Sequence, residues 1–225
     1  MKTKHNLAAV LLAIFVPSFF AFFYFFLFAD KSFAQILYSI SRVFLVVFPI
    51  GWVLLVNKSV FPRIRFKTKG LFAGILSGLI IGGVILLVYF LVFKGRIDFS
   101  EIKLKAEQYK FTGINYFFYA FFLTIINSSI EEYYWRWFTL SKLRNLISDN
   151  KAIFISAVGF TLHHIIVLLV YFGLMFGLLF SIGVFIGGII WAYFYKRYDS
   201  ILPCIISHLI VDAALMIIGY DVIFA

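Results

Sequence analysis

The sequence predicts an all-α protein, a polytopic transmembrane bundle of about seven helical spans with length left for an eighth short or tilted helix. Three observations predict it. Hydrophobic residues fill 64% of the 225 positions and charged residues only 13%, with a mean hydropathy of +1.03, a composition no soluble domain sustains. Apolar runs of about 18 residues or more recur along the whole chain, without the alternation of a membrane barrel. Basic residues gather in short connections between those runs, as at Lys58, Arg63, Arg65, Lys67 and Lys69, the pattern of loops held beside anionic lipid. That distribution accounts for the net charge of +10 without nucleic acid as a partner. The chain reads as a single membrane domain over residues 1–225.

The first span is Leu7 to Ala29, preceded by Lys2 and Lys4; its apolar core is longer than a secretory signal and no small-residue cleavage site follows, so it is expected to stay uncleaved. Phe33 to Val56, Leu71 to Phe93 and Ile114 to Leu140 form the next three. Ala152 to Tyr195 as one helix would be roughly 65 Å long at 1.5 Å per residue, twice the hydrocarbon thickness, so it must fold back, with the turn near Tyr171 to Gly173. Ile201 to about Gly219 is the seventh span. With the amino terminus in the cytoplasm, connections 57–70, 141–151 and 196–200 all lie on that side, and each carries Lys or Arg. Lys94 to Lys110 lies opposite, and its Phe99, Ile102, Leu104 and Ala106 suggest a segment resting at the interface. Gly74, Gly78, Gly82 and Gly83, and Gly173, Gly177, Gly183, Gly187 and Gly188, read as small-residue packing faces. The lone Cys204 reads as a buried apolar side chain and excludes an internal disulfide.

Only ten acidic residues occur, and three of them, Glu131, Glu132 and Asp212, fall inside spans together with His163, His164 and His208. Ionisable groups in hydrocarbon are costly unless paired or hydrated, so this concentration marks a functional site. Counted from the nearest basic connection at 1.5 Å per residue, Glu131 lies about 16 Å in from Lys142, His164 about 20 Å from Lys151 and His208 about 14 Å from Asp199. The three converge at one depth whichever way the bundle points. Glu132 and Arg136 are four apart and can pair along one helix face, whereas Glu131 is turned away from its neighbour and faces the histidines. Phe160 with His164, and His208 with Asp212, are likewise one turn apart. Arg42 is a lone charge in the second span that either snorkels toward the outer face or pairs with an internal acid.

Glu131-Glu132 with Arg136 fits an EExxxR pattern, Phe160 to His164 fits FxxxH, and His208 to Asp212 fits HxxxN/D, in that order. Over about residues 114–214 the chain resembles the CPBP family, the CAAX-protease and bacteriocin-processing (Abi) type of intramembrane protease. The resemblance implies a catalytic core over about 114–214, with accessory N-terminal spans over 1–93. It also implies that Glu131 and His164 activate a water, that His208 and Asp212 steady the tetrahedral intermediate, and that Glu132, Arg136 and Phe160 support them. Depending on the rotation of its helix, His163 or His164 could face the cavity; the spacing from Phe160 favours His164 and leaves His163 as structural. Asp212 can donate to an oxyanion only when protonated; alternatively it accepts from His208 and fixes its tautomer.

The resemblance favours a glutamate-dependent reaction without cofactor. Glu131, His164 and His208 are also a common zinc set, although no HExxH spacing is present. The expected partners are the bilayer and a peptide or membrane-protein substrate, and the expected site is a prokaryotic cytoplasmic membrane. Two other classes use the same residues differently: a proton- or cation-coupled transporter, for which no internal repeat speaks, and an idle membrane scaffold.

Overall fold

The structure, a computed structural model, describes residues 2–27, 33–58, 60, 62–108, 110–111 and 113–225. Among these there is no strand. Helix α1 covers Lys2–Phe22 and widens into a π-turn at Phe23–Leu27; α2 covers Phe33–Gly51 with a π-turn at Trp52–Val56; α3 covers Leu71–Val88 with one at Tyr89–Phe93. A short α4, Ser100–Gln108, precedes α5 (Gly113–Arg144), α6 (Asp149–Tyr198) and α7 (Leu202–Phe224). All but α4 are long and apolar enough to cross a membrane, six helices in all, and the chain is an integral membrane protein. The second and third expected spans coincide with their helices; the expected end of the first, Ala29, lies outside the described residues.

The long helix α6 folds back where the sequence demands it. Gly173 has φ 69° and ψ −176°, backbone torsions essentially reserved for glycine. Its two limbs then pack antiparallel at contact distance: a Cβ at Gly177 would lie 2.9 Å from Leu169 Cα, and one at Gly188 3.2 Å from Ala157 Cβ. Counting its two limbs separately gives seven candidate spans among the described residues.

Glycines also set the approach of α3 to α7. A Cβ on Gly74 would come within 2.5 Å of the Pro203 carbonyl oxygen, one on Gly78 within 2.9 Å of Ile210 Cβ, and one on Gly82 within 3.2 Å of Ala214 Cβ. This stripe with a spacing of four lets the backbones touch, as membrane helices require in the absence of a hydrophobic force between them. Gly83, Gly173 and Gly183 meet nothing within 4 Å, so these three do not belong to packing faces.

Contacts between connections show which ends lie together. Asp199 pairs with Arg65 and Lys67, the Ile201 amide donates to the Arg65 carbonyl, and Asp149 is held by Arg144 and Lys196. Connections 57–70, 141–151 and 196–200 therefore share one end of the bundle, as their charge predicts. At the opposite end Lys94 and Tyr89 hold Asp221, and Phe99 packs on Tyr89 and Phe172. There α4 buries Ala106 and exposes Leu104, in keeping with an interfacial segment.

Helix α5 is the axis. It alternates geometry, with π-turns at Phe122–Asn127 and Tyr133–Leu140 around an α segment at Ser128–Glu132. Its first half exposes Phe117, Phe118 and Phe121, while every residue from Tyr134 to Leu140 is buried. A helix enclosed on all sides must be apolar or internally paired on all sides. Here the aromatic rings supply the first and Arg136 the second.

Candidate active site

Three helices deliver the polar residues to one point inside the bundle. Glu131 and Glu132 come from α5, where the return from π to α geometry at Ser128–Glu132 turns adjacent carboxylates to different neighbours. Phe160 and His164 come from the first limb of α6, and His208 and Asp212 from α7. Glu131, Glu132, Arg136, Phe160 and His208 are all at most 4% exposed, in keeping with the depth argument.

Glu132 and Arg136 pair as the spacing predicts, with Oε2 3.0 Å from Nε, and both side chains are fully buried. The guanidinium is sandwiched by rings, 4.8 Å from the Phe160 centroid and 5.5 Å from that of Trp191. Glu132 does more than orient its own helix, because its other oxygen, Oε1, sits 2.9 Å from His208 Nδ1. A carboxylate that accepts there leaves the proton on Nδ1 and turns Nε2 toward the site. Asp212 Oδ1 is 3.6 Å from His208 Nε2, beyond a hydrogen bond, so the tautomer of His208 is set by Glu132 and not by Asp212. Asp212 instead accepts from the Ser128 hydroxyl at 2.8 Å.

His164 is fixed in the same sense. Its Nδ1 lies 2.8 Å from the Phe160 carbonyl oxygen, which can only accept, so in the neutral ring Nε2 carries the lone pair. Both Nε2 atoms face Glu131: Oε2 is 3.9 Å from that of His164 and 4.0 Å from that of His208. This carboxylate oxygen is buried and makes no hydrogen bond among the described residues.

The other oxygen, Oε1, is occupied. The Asn127 amide donates to it at 3.1 Å, and Arg42 from α2 approaches it at 3.3 Å while also donating to Asn127 Oδ1 at 2.5 Å. Glu131 thus has a partner on its own helix, four residues earlier, the spacing that pairs Glu132 with Arg136. Arg42 pairs with an internal acid rather than snorkelling.

Sequence reasoning passed over several further groups. Trp191 stacks on His208 and donates to Ser207 Oγ at 2.9 Å, and Ser207 in turn lies 2.9 Å from Ser77 on α3. His163, read as structural, lies close by: one ligand-capable atom from each of Glu131, His163 and His164 falls within a mutual 4.8 Å, a grouping that could hold a metal ion. Its ring stacks on Trp135 at 5.6 Å with 1° between planes. The adjacency of Ser207 to His208 was the available signal for the first, and the adjacency of His163 to His164 for the second.

The site brings Glu131, Glu132, His164 and His208 together around one buried point, with Arg42 and Arg136 balancing the two glutamates. Neither the curated proteins nor the solved structures compared with the chain give a match. One family model does match, over residues 113–214, from the first turn of α5 into the middle of α7, and it is described as type II CAAX prenyl endopeptidase Rce1-like. That segment contains Glu131, Glu132, Arg136, Phe160, His164, His208 and Asp212. Over that segment the chain is similar to the Rce1-like CAAX endopeptidases, the membrane protease family to which its three motifs point.

Proposed function

We propose that this chain is an intramembrane endopeptidase that hydrolyses a peptide bond with a water activated by Glu131 and His164, and that its catalytic core is about residues 114–214. One observation carries the reading. Oε2 of Glu131, buried and without a hydrogen bond, faces the Nε2 atoms of His164 and His208 at 3.9 and 4.0 Å. Each gap is too long for a direct hydrogen bond and suits a single bridging water.

In this reading Glu131 takes a proton from the water as its oxygen attacks the scissile carbonyl carbon, and His164 Nε2 accepts the second hydrogen and aims the lone pair. The carbonyl oxygen becomes an oxyanion, which His208 in its imidazolium form stabilises by donating from Nε2, its Nδ1–H remaining on Glu132. When the intermediate collapses the C–N bond breaks, and Glu131 returns its proton to the leaving amine. Asp212, 3.6 Å from the same Nε2, adds negative charge beside that imidazolium.

Two features favour water over zinc. Zinc bonds of about 2.0–2.2 Å hold ligand atoms about 3.4 Å apart in a tetrahedron, so the pairs at 3.9 and 4.0 Å would have to contract, whereas hydrogen bonds of about 2.8 Å span them. Arg42 already stands at 3.3 Å from the glutamate, and a second cation would meet its guanidinium. The competing metal reading rests on the grouping of Glu131 with His163 and His164.

The family description implies a prenylated peptide as substrate. We place the protein in a prokaryotic cytoplasmic membrane with its amino terminus in the cytoplasm, the arrangement that gives connections 57–70, 141–151 and 196–200 to the cytoplasmic side. The test is cleavage of prenylated and unprenylated peptides by purified protein and its Glu131→Gln variant, read by mass spectrometry with and without a chelator. Cleavage by the parent alone, unaffected by chelator, is expected; equal cleavage by both proteins overturns the role of Glu131, and loss on chelation overturns the metal-free mechanism.

A further inference from the structure

We infer that Arg42, on the second helix and outside the segment that matches the protease family, is a positioning residue. Together with Asn127 it holds one oxygen of Glu131, so that the other points at the two histidines. The inference rests on the reading of Glu131 as the base. It gives the N-terminal spans a part in the site that their separation in sequence does not suggest.

The geometry is a closed triangle. Arg42 donates to Asn127 Oδ1 at 2.5 Å and to Glu131 Oε1 at 3.3 Å, and Asn127 donates from Nδ2 to the same Oε1 at 3.1 Å. Because a guanidinium only donates and a carboxylate only accepts, the Asn127 amide has one orientation that satisfies both. Arg42 is itself held from behind by Tyr38, one turn earlier on α2, whose ring centroid is 4.9 Å from the guanidinium carbon. All of this restraint falls on Oε1; the atom that faces His164 and His208 is Oε2. A carboxylate with one oxygen tied by two donors from different helices has lost its rotation, which is what a base aimed at a single water requires.

The alternative for a partly exposed arginine beside a cleavage site is to bind an acidic group of the substrate. The two roles differ in what they change. A positioning residue alters the chemical step, and a substrate contact alters binding.

The test is Arg42→Met and Arg42→Lys alongside Glu131→Gln, with kcat and KM measured on one cleaved peptide. Arg42→Met is expected to lower kcat by about 10- to 100-fold, the loss that follows a displacement of ~1 Å at a reacting group, with KM little changed. Arg42→Lys should recover part of kcat. A raised KM with kcat preserved overturns the inference in favour of substrate binding, and an unchanged kcat overturns it outright. Residual activity in Glu131→Gln would instead sink the reading beneath it, which keeps the two failures separate.

A second readout needs no activity. If the triangle exists, the fall in Tm caused by Arg42→Met is larger in the parent, where it strands the Glu131 carboxylate, than in the Glu131→Gln background. Equal falls overturn the pairing. Should Arg42→Met fail to fold in both backgrounds, Arg42→Lys runs the same cycle and decides it.

Discussion

The indole of Trp191 lies nearly flat on the imidazole of His208, with ring centroids 4.0 Å apart and 17° between their planes. One face of the histidine is thereby fixed by the second limb of α6, while its edge is fixed by Glu132 on α5. The same indole lies against the Arg136 guanidinium, so the buried ion pair and the imidazole share a wall.

Trp191→Phe keeps an aromatic ring but removes the donor to Ser207 and part of the stacked surface. Loss of a hydrogen bond of this kind costs about 1 kcal/mol of stability. The fall in kcat should be at least fivefold, roughly 1 kcal/mol at the transition state, because the ring is held by fewer contacts when charge develops beside it. Turnover and denaturant titration on the same preparation check both figures; an unchanged kcat would show that the stack serves packing alone.

Glu132 and Arg136 are both fully buried. Removing one partner leaves an uncompensated charge and costs about 3–5 kcal/mol, so Arg136→Met should lower Tm and expression sharply. The double variant Glu132→Gln with Arg136→Met should recover much of that stability without recovering activity, since His208 has lost its carboxylate. Additive losses in a thermal-unfolding cycle would contradict this pairing.

Two glycines on one helix should behave oppositely. Gly78→Val places a side chain where even a Cβ would lie 2.9 Å from Ile210, separating α3 from α7 and drawing Ser77 away from Ser207. Gly83→Val meets open space and should change Tm by less than about 0.5 kcal/mol equivalent, as surface substitutions do. Thermal unfolding in detergent compares them directly, and a similar loss for both would refute the packing stripe.

Lys67 and Arg65 hold the Asp199 carboxyl below its ordinary value. A depressed folded value means that the clasp stabilises above the ordinary value of 3.8 and is lost as pH falls through the lower, folded value. The carboxylate is about half exposed, so solvent screens the gain and the effect is small and salt-sensitive. Hydrogen exchange of connection 57–70 should therefore quicken below about pH 4 in the parent and show no such step in Asp199→Asn.

The legible part of this protein was whatever has a period or a spacing. Span limits such as Leu71 to Phe93 follow from hydropathy, the fold-back follows from length with a glycine at its tip, and Glu132 with Arg136 follows from one helical turn. What the sequence withheld depends on which helices become neighbours. Arg42 could be seen as an unaccompanied charge, but Glu131 as its partner, 89 positions away, needed the packing of α2 on α5. The job of Glu132 beside His208 was hidden for the same reason. Asn127 was missed differently: it lay in plain view one turn before Glu131, but as an uncharged residue it did not draw the test applied to ion pairs.

The turn at Gly173 also bears on the order in which the protein is made. A ribosome releases the chain from its amino end, and the two limbs of α6 can pair with one another as soon as both have emerged. Phe160, His164 and Trp191 are then prearranged, opposite an α5 that already carries both glutamates. His208 arrives only with α7, slipping between Trp191 and Glu132. Until that insertion the half-built bundle lacks the imidazole proposed as its oxyanion donor, so under the proposed mechanism a nascent chain in a crowded membrane cannot yet cut its neighbours.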